Sequence, residues 1–288
     1  TTGYGEDGHC ERARQMILEK CRNKDAYVQF LVGGTQANTT VIAAALRPWQ
    51  GVISADTGHI NVHETGAIEA TGHKVIALPN KDGKIAAEQI DACCREHFSA
   101  GNAEHMVQPG MVYVSNPTEY GTLYTKTELE SIRKVCSEYD LILFVDGARM
   151  AYGLGADGND LTLADYAAIS DVFYIGGTKA GALFGEAVVI TDEQLKKDFR
   201  YMIKRQGGML AKGRLLGIQY EVLMEGDLYT ELGRHANALA EKIKEAFLRK
   251  GYESYMDSVT NQQFFILPLA DLERLGEKYS YSFDRNTD

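Results

Sequence analysis

Residues 141–149 read LILFVDGAR: five apolar residues that run straight into Asp146, then Gly147, Ala148 and Arg149. A short, unbroken apolar run closed by a turn signal is the mark of a strand buried on both faces. Similar runs lie upstream at 27–33, 51–56, 74–79 and 111–117, and downstream at 172–179 and 186–190. Helix-like segments separate them at 35–47, 60–70, 86–98 and 125–139. In the last of these, Thr125 and Glu128 have the spacing of a capping box. Strand and helix in alternation predict an α/β fold: a mainly parallel sheet with helices on both faces, in three layers. After residue 191 the pattern changes to helices at 192–206, 213–225 and 228–251, a strand at 262–268 and a helix at 270–279. A boundary near residue 226 is expected, with a large domain over 1–226 and a small α+β domain over 227–288.

Composition narrows the function classes. The chain has 288 residues, 44% of them hydrophobic and 24% charged, and a net charge of −10. That is enough apolar material for a large core, and no basic face for nucleic acid stands out. No uncharged apolar run approaches the roughly 20 residues that cross a bilayer. The five cysteines, Cys10, Cys21, Cys93, Cys94 and Cys136, are odd in number and lack metal-site spacing. Reduced thiols and a cytoplasmic location are expected. The first residue is Thr1, not Met, so residues before it are expected.

In an open α/β sheet, ligands bind beyond the carboxyl ends of the strands. Asp146 at such an end is costly without a partner. Two partners fit: the protonated ring nitrogen of a pyridine cofactor, or the backbone amides of the next turn. Lys179 follows strand 172–176 within Gly-Gly-Thr-Lys-Ala-Gly-Ala. Desolvation there lowers the pKa of an amine and frees it for imine formation, while a solvated loop lysine is the plain alternative. Gly33, Gly34 and Thr35 open a helix after strand 27–33, where free amides and the helix dipole favour an anion. The run matches neither a P-loop nor GxGxxG, which argues against a nucleotide-triphosphate or nicotinamide site. His59, His63 and Glu64 follow strand 51–56. An imidazole there can stack on a flat ring, two histidines four apart can bind a metal, or the residues form a polar helix face. No metal is assigned.

Together GGTQAN (33–38), DTGHINVHETGA (56–67), VDGAR (145–149) and GGTKAGALFGEA (176–187) resemble the threonine aldolase and β-eliminating lyase family, pyridoxal-phosphate (PLP) enzymes of the aspartate-aminotransferase-like fold. The resemblance spans nearly the whole chain. It implies that Lys179 holds PLP as an imine, Asp146 pairs with its ring nitrogen, and His59 stacks on the ring. It implies that Gly34 and Thr35 hold the phosphate and that Arg149 lies near the cofactor and the substrate carboxylate. It implies an amino-acid substrate and a homodimer or homotetramer with the site at the subunit interface.

Two positions depart from the family pattern. Threonine aldolases carry a His in the loop after the central strand, where this chain has Glu119 in NPTEYG (116–121). In KRQGGMLAKGR (204–214), Leu210 stands where relatives often have Arg, so Lys204, Lys212 or Arg214 becomes a candidate cation, for this subunit or its neighbour. The family's flanking segments, one with Asn-Asp and one with a carboxylate-gripping Arg, are not found; Arg285 is a poor stand-in. The expected reaction is retro-aldol cleavage of a β-hydroxy amino acid to glycine and an aldehyde, with Glu119, His59 or His63 as base. β-Elimination is the alternative, with transamination and a non-catalytic PLP-binding homologue behind it.

Overall fold

The computed structural model describes residues 2–284; Arg285 lies outside them. The chain begins with α1 (Gly8–Cys21), which the sequence reading did not mark. Its start is set by Asp7, whose side chain accepts from the amides of His9 and Cys10. Then come β1 (Tyr27–Leu31), α2 (Gly34–Ala45), β2 (Gln50–Ala55), α3 (His59–Val62), β3 (Val75–Leu78), α4 (Ala87–Ser99), β4 (Gln108–Ser115), α5 (Lys126–Glu138) and β5 (Ile142–Asp146). These are followed by α6 (Met150–Leu154), α7 (Leu163–Ile169), β6 (Val172–Gly176), β7 (Glu186–Ile190), α8 (Glu193–Lys196), α9 (Phe199–Arg205), α10 (Arg214–Leu223) and α11 (Leu228–Arg249). A two-strand pair, β8 (Glu253–Ser254) and β9 (Phe265–Ile266), and α12 (Leu269–Gly276) complete the described part.

The large sheet has the strand order β1-β7-β6-β5-β4-β2-β3. The pairs from β6 to β3 are parallel, and β7 runs antiparallel between β1 and β6. The expected mainly parallel α/β sheet is therefore present. Period-2 alternation divides its side chains between two cores. Leu143 and Val145 of β5 pack on one side with Ile17, Leu129, Tyr166 and Tyr220. Phe144 packs on the other with Val41, Ile42 and Phe199. Burial on both faces explains why the strands are written as continuous apolar runs. The capping box on α5 forms as expected, with Thr125 N donating to Glu128 Oε2 at 2.7 Å and Glu128 N to Thr125 Oγ1 at 3.2 Å.

Three expectations about local structure are corrected. The segment 60–70 is not one helix: α3 stops at Val62, and Thr65 and Gly66 take positive φ of 53° and 73° before a short 3₁₀ turn at Glu69–Thr71. The segment 192–206 is two helices, broken where Asp198 has φ 61°. The strand expected over 262–268 pairs only at Phe265–Ile266.

The segment after residue 226 is fastened at points that bear on the site. On α11, Tyr229 donates its hydroxyl to Gly176 O at 2.7 Å, and Asn237 Nδ2 donates to Tyr152 O at 2.8 Å. Gly233 sits where α11 crosses α6, and a Cβ there would lie 1.8 Å from the Ala151 carbonyl oxygen. Further on, Ser258 Oγ and Thr260 Oγ1 donate to Gly121 O at 3.2 and 3.1 Å. Replacing Gly233 by Ala must move α11 away from α6, so the expected loss of stability is about 1–3 kcal/mol, as for other overpacked interiors. Urea unfolding of the two proteins measures it, and an unchanged midpoint would show that the crossing is soft.

Candidate active site

A cavity of ≈ 180 Å³ opens at the carboxyl end of the parallel strands, lined among others by Gly33, Gly34, Thr35, His59, Glu119, Asp146, Arg149 and Lys179. Of the residues expected at the site, those assigned to the cofactor, together with Glu119, line this one cavity. They arrive from five strand ends: Gly33–Thr35 after β1, His59 after β2, Glu119 after β4, Asp146 and Arg149 at the end of β5, and Lys179 after β6. His63 is exposed and is not among the lining residues, though its ring centroid lies 5.6 Å from that of His59. Lys204, Lys212 and Arg214 do not line this cavity either. Lys204 Nζ lies over the Tyr4 ring instead, 5.7 Å from its centroid.

Asp146 is 4% exposed. Its Oδ1 accepts from Ala148 N at 2.9 Å; its Oδ2 accepts from the Tyr113 hydroxyl and from Asn38 Nδ2, the latter at 3.3 Å. The carboxylate caps the next turn, as one reading of the sequence expects, and also lines the cavity. Asn38 Nδ2 also donates to Glu64 Oε1 at 2.6 Å, and that oxygen lies 2.8 Å from His59 Nδ1. The Glu64 side chain is fully buried, so the imidazole is fixed from behind. Contact with Glu64 raises the His59 pKa above its ordinary value; burial and Lys179 oppose this, while Asp146 adds to it.

Lys179 extends into the cavity and keeps contact with solvent there. Desolvation by the surrounding protein lowers its pKa, and the nearby Arg149 guanidinium lowers it further, against Asp146, Glu186 and Glu119. Its loop is held from below. Tyr152 donates its hydroxyl to Lys179 O, and Tyr220 donates to Ile175 O at 2.5 Å and Gly185 O at 2.9 Å.

Glu119 lies on a turn tightened by Gly121, whose φ of 77° and whose contact with Ser258 and Thr260 leave no room for a side chain. Ser115 Oγ donates to Glu119 Oε1 at 2.6 Å and His59 N donates to the same oxygen at 2.9 Å. Desolvation raises the Glu119 pKa, and Asp146 adds to it, while these donors pull it back. The side chain is half-buried: it sits deep among protein atoms and meets solvent at the cavity.

Among the lining residues that sequence reasoning passed over are Ser115, Tyr174 and Glu186. Glu186 carried a readable signal, because it abuts the apolar run AVVI as Asp146 abuts LILFV. Ser115 and Tyr174 carried none, being ordinary strand residues until the sheet places them.

The cavity fits a flat, phosphate-bearing aldehyde. A cavity amine of lowered pKa suits imine formation. No side chain caps the first turn of α2, so its leading amides are available to an anion. A Cβ on Gly33 would meet no protein atom within 4 Å, and one on Gly34 would come within 3.2 Å of the Tyr174 hydroxyl. The backbone there is open on one side and closely backed on the other.

Known proteins resemble this chain in sequence and fold. The family model described as Beta-eliminating lyase matches residues 1–267. A low specificity L-threonine aldolase of Pseudomonas aeruginosa is 30% identical over 244 residues, which cover 84% of this chain and 69% of the relative. The solved structure of Leishmania major threonine aldolase is 47% identical and superposes with a TM-score of 0.96, covering 100% of this chain and 83% of that one. Thermus thermophilus aspartate aminotransferase with maleate, 18% identical, has a TM-score of 0.70 over 96% of this chain and 74% of its own, a likeness of fold alone. With its sheet, its cavity and a match over residues 1–267, the chain belongs to the β-eliminating lyase family.

Proposed function

We propose that the chain is a PLP-dependent lyase that cleaves β-hydroxy amino acids, L-threonine among them, to glycine and an aldehyde. The observation that carries this reading is the meeting of Lys179, Asp146 and the open amides of α2 around one cavity. The relatives named threonine aldolase support the choice of reaction.

PLP supplies an aldehyde that condenses with amines and a protonated pyridine ring that withdraws an electron pair released at Cα. The chain does the rest. Lys179 offers an amine that loses its proton more readily than a solvated lysine. Asp146 would keep a proton on the ring nitrogen, and its own bonds to Ala148 N, Tyr113 and Asn38 hold it rigid. The amides of Gly34 and Thr35 would hold the phosphate. Glu64 fixes the His59 ring, which would stack on the cofactor ring. Arg149 would lie near the cofactor and the substrate carboxylate. Glu119 takes the proton of the substrate's β-hydroxyl, so that Cβ leaves as the carbonyl carbon of an aldehyde. Its two fixed donors are both on Oε1, which assigns the incoming proton to Oε2.

Three further assignments belong to this proposal. The chain acts as a homodimer or homotetramer with the site at the subunit boundary, as supported by Leu183, which is 87% exposed four residues after Lys179. Residues 1–226 form a PLP-binding domain and 227–288 part of a small one. The protein works in the cytoplasm; among the described residues no helix is long and apolar enough to cross a membrane.

Purified protein with PLP is expected to show an imine absorbance band that borohydride bleaches, and to release glycine and acetaldehyde from L-threonine. Lys179→Ala must lose the band and nearly all turnover; full activity in that variant would sink the assignment. Pyruvate from L-serine, with no glycine from threonine, would replace aldol cleavage by β-elimination, the reaction that the family description names.

Glu119→Gln tests the base. Removing a general base costs about 10²–10⁴-fold in rate. A base works ionised, so kcat/KM in the wild type rises with pH through the Glu119 pKa, which lies above the ordinary carboxylate value. That acid limb must vanish in Glu119→Gln. A limb that survives unchanged assigns the step to another group.

A further inference from the structure

Glu186 is the cavity residue that the proposed mechanism does not use. It opens β7 and lies in register with Leu31 of β1 on one side and Gly176 of β6 on the other. Both neighbouring strands lead into the anion-binding part of the cavity: β1 runs on to Gly33, Gly34 and Thr35, and β6 to Thr178. The residue is 3% exposed. Its Oε1 accepts from Thr178 Oγ1 at 3.2 Å, while Oε2 is buried without a hydrogen-bond partner. An unpartnered buried carboxyl oxygen beside a phosphate site is a conflict if both are charged. It is resolved if the carboxyl keeps its proton, because a carboxylic acid is a donor.

We propose that Glu186 binds the phosphate of the cofactor as a neutral carboxylic acid, donating its O–H to the anion, so that cofactor uptake carries a proton with it. This rests on the PLP reading above, since the phosphate is that of PLP. Burial, helped by Asp146, pushes the free carboxyl up to about 8, with Thr178 and Lys179 opposing. The titratable groups facing it are Asp146 from β5, Tyr174 from β6, Lys179 from the next loop, Tyr220 from α10 and Tyr229 from α11. The three tyrosines are pushed well above 10 and stay neutral across the working range. Lys179 acts in the opposite sense, since imine formation needs its free amine. A donor bond to phosphate raises the Glu186 pKa in the complex. Affinity is therefore full below the free-state pKa and falls as pH rises through and above it.

The test is calorimetric titration of PLP into the cofactor-free full chain from pH 7 to 9.5, in buffers of different ionisation heat, with the imine band read in the same samples. Glu186→Gln keeps the shape and a donor but cannot titrate; because the Glu186 charge also raises the Lys179 pKa, the Lys179 share is followed separately through the imine band in both proteins. The wild type is expected to take up as much as one proton more than Glu186→Gln, with the excess growing through pH 8. The ratio of wild-type to variant affinity is expected to fall up to about tenfold per pH unit above that point. Pyridoxal, which lacks the phosphate, must abolish the excess in the wild type, a check that needs no variant. Equal proton counts with a pH-independent ratio, or an excess that persists with pyridoxal, overturn the proposal. A wild type that binds PLP without forming an imine band overturns the lysine reading by itself and is told apart by that absorbance.

Discussion

The Asp146 carboxylate is buried at the head of the sheet, and among the described residues no Lys, Arg or His side chain lies in ion-pair contact with it. Removing a carboxylate from water costs several kcal/mol even after the protein relaxes. Here the charge is carried by three donors: the Ala148 amide, the Tyr113 hydroxyl and the Asn38 amide. None of the three neutralises it. Each constrains a different element, since Tyr113 belongs to β4, Asn38 to α2 and Ala148 to the turn before α6. The mutual placement of these elements, and so the shape of the cavity, follows from satisfying one buried charge.

That charge propagates. Asn38 couples Asp146 to Glu64, and Glu64 holds His59. Field from Asp146 contributes to the raised pKa of His59, Glu119 and Glu186. Lys179 feels the same field but yields to desolvation and Arg149, and its pKa falls. The cavity therefore pushes His59, Glu119 and Glu186 toward their protonated forms and Lys179 toward the free amine. Shifts of opposite sense on neighbouring groups are a mark of proton-transfer sites.

Much of this was legible beforehand, for a physical reason. Parallel strands buried on both faces must be written in apolar letters, so the residue that interrupts such a run at its carboxyl end marks the ligand side of the sheet. That logic found Asp146, Lys179, His59 and the Gly33–Thr35 turn as residues that line one cavity, and the family resemblance added Arg149. It failed where local cues compete with tertiary ones. The helix read over 60–70 breaks at Thr65 and Gly66, and no period in the sequence announces a positive φ. Tyr113 and Tyr174 look like core residues and are buried as such, yet their hydroxyls reach the site. The antiparallel β7 hid Glu186, because a residue at the start of that strand lands at the same edge as residues at the ends of the others.

Glu119 sets the charge of the cavity, at a position where the resemblance to threonine aldolases leads one to expect a histidine. A neutral imidazole adds no charge to the cavity, and a carboxylate adds one beside Asp146. The fold answers locally. The Ser115 hydroxyl and the His59 amide bind Oε1, and the His59 imidazole is driven toward its cationic form by Glu64. The turn that carries Glu119 is in turn held through Gly121 by Ser258 and Thr260, which are 0% and 1% exposed. The position of the Glu119 carboxylate relative to Lys179 and Asp146 is therefore tied to the packing of Ser258 and Thr260 on Gly121.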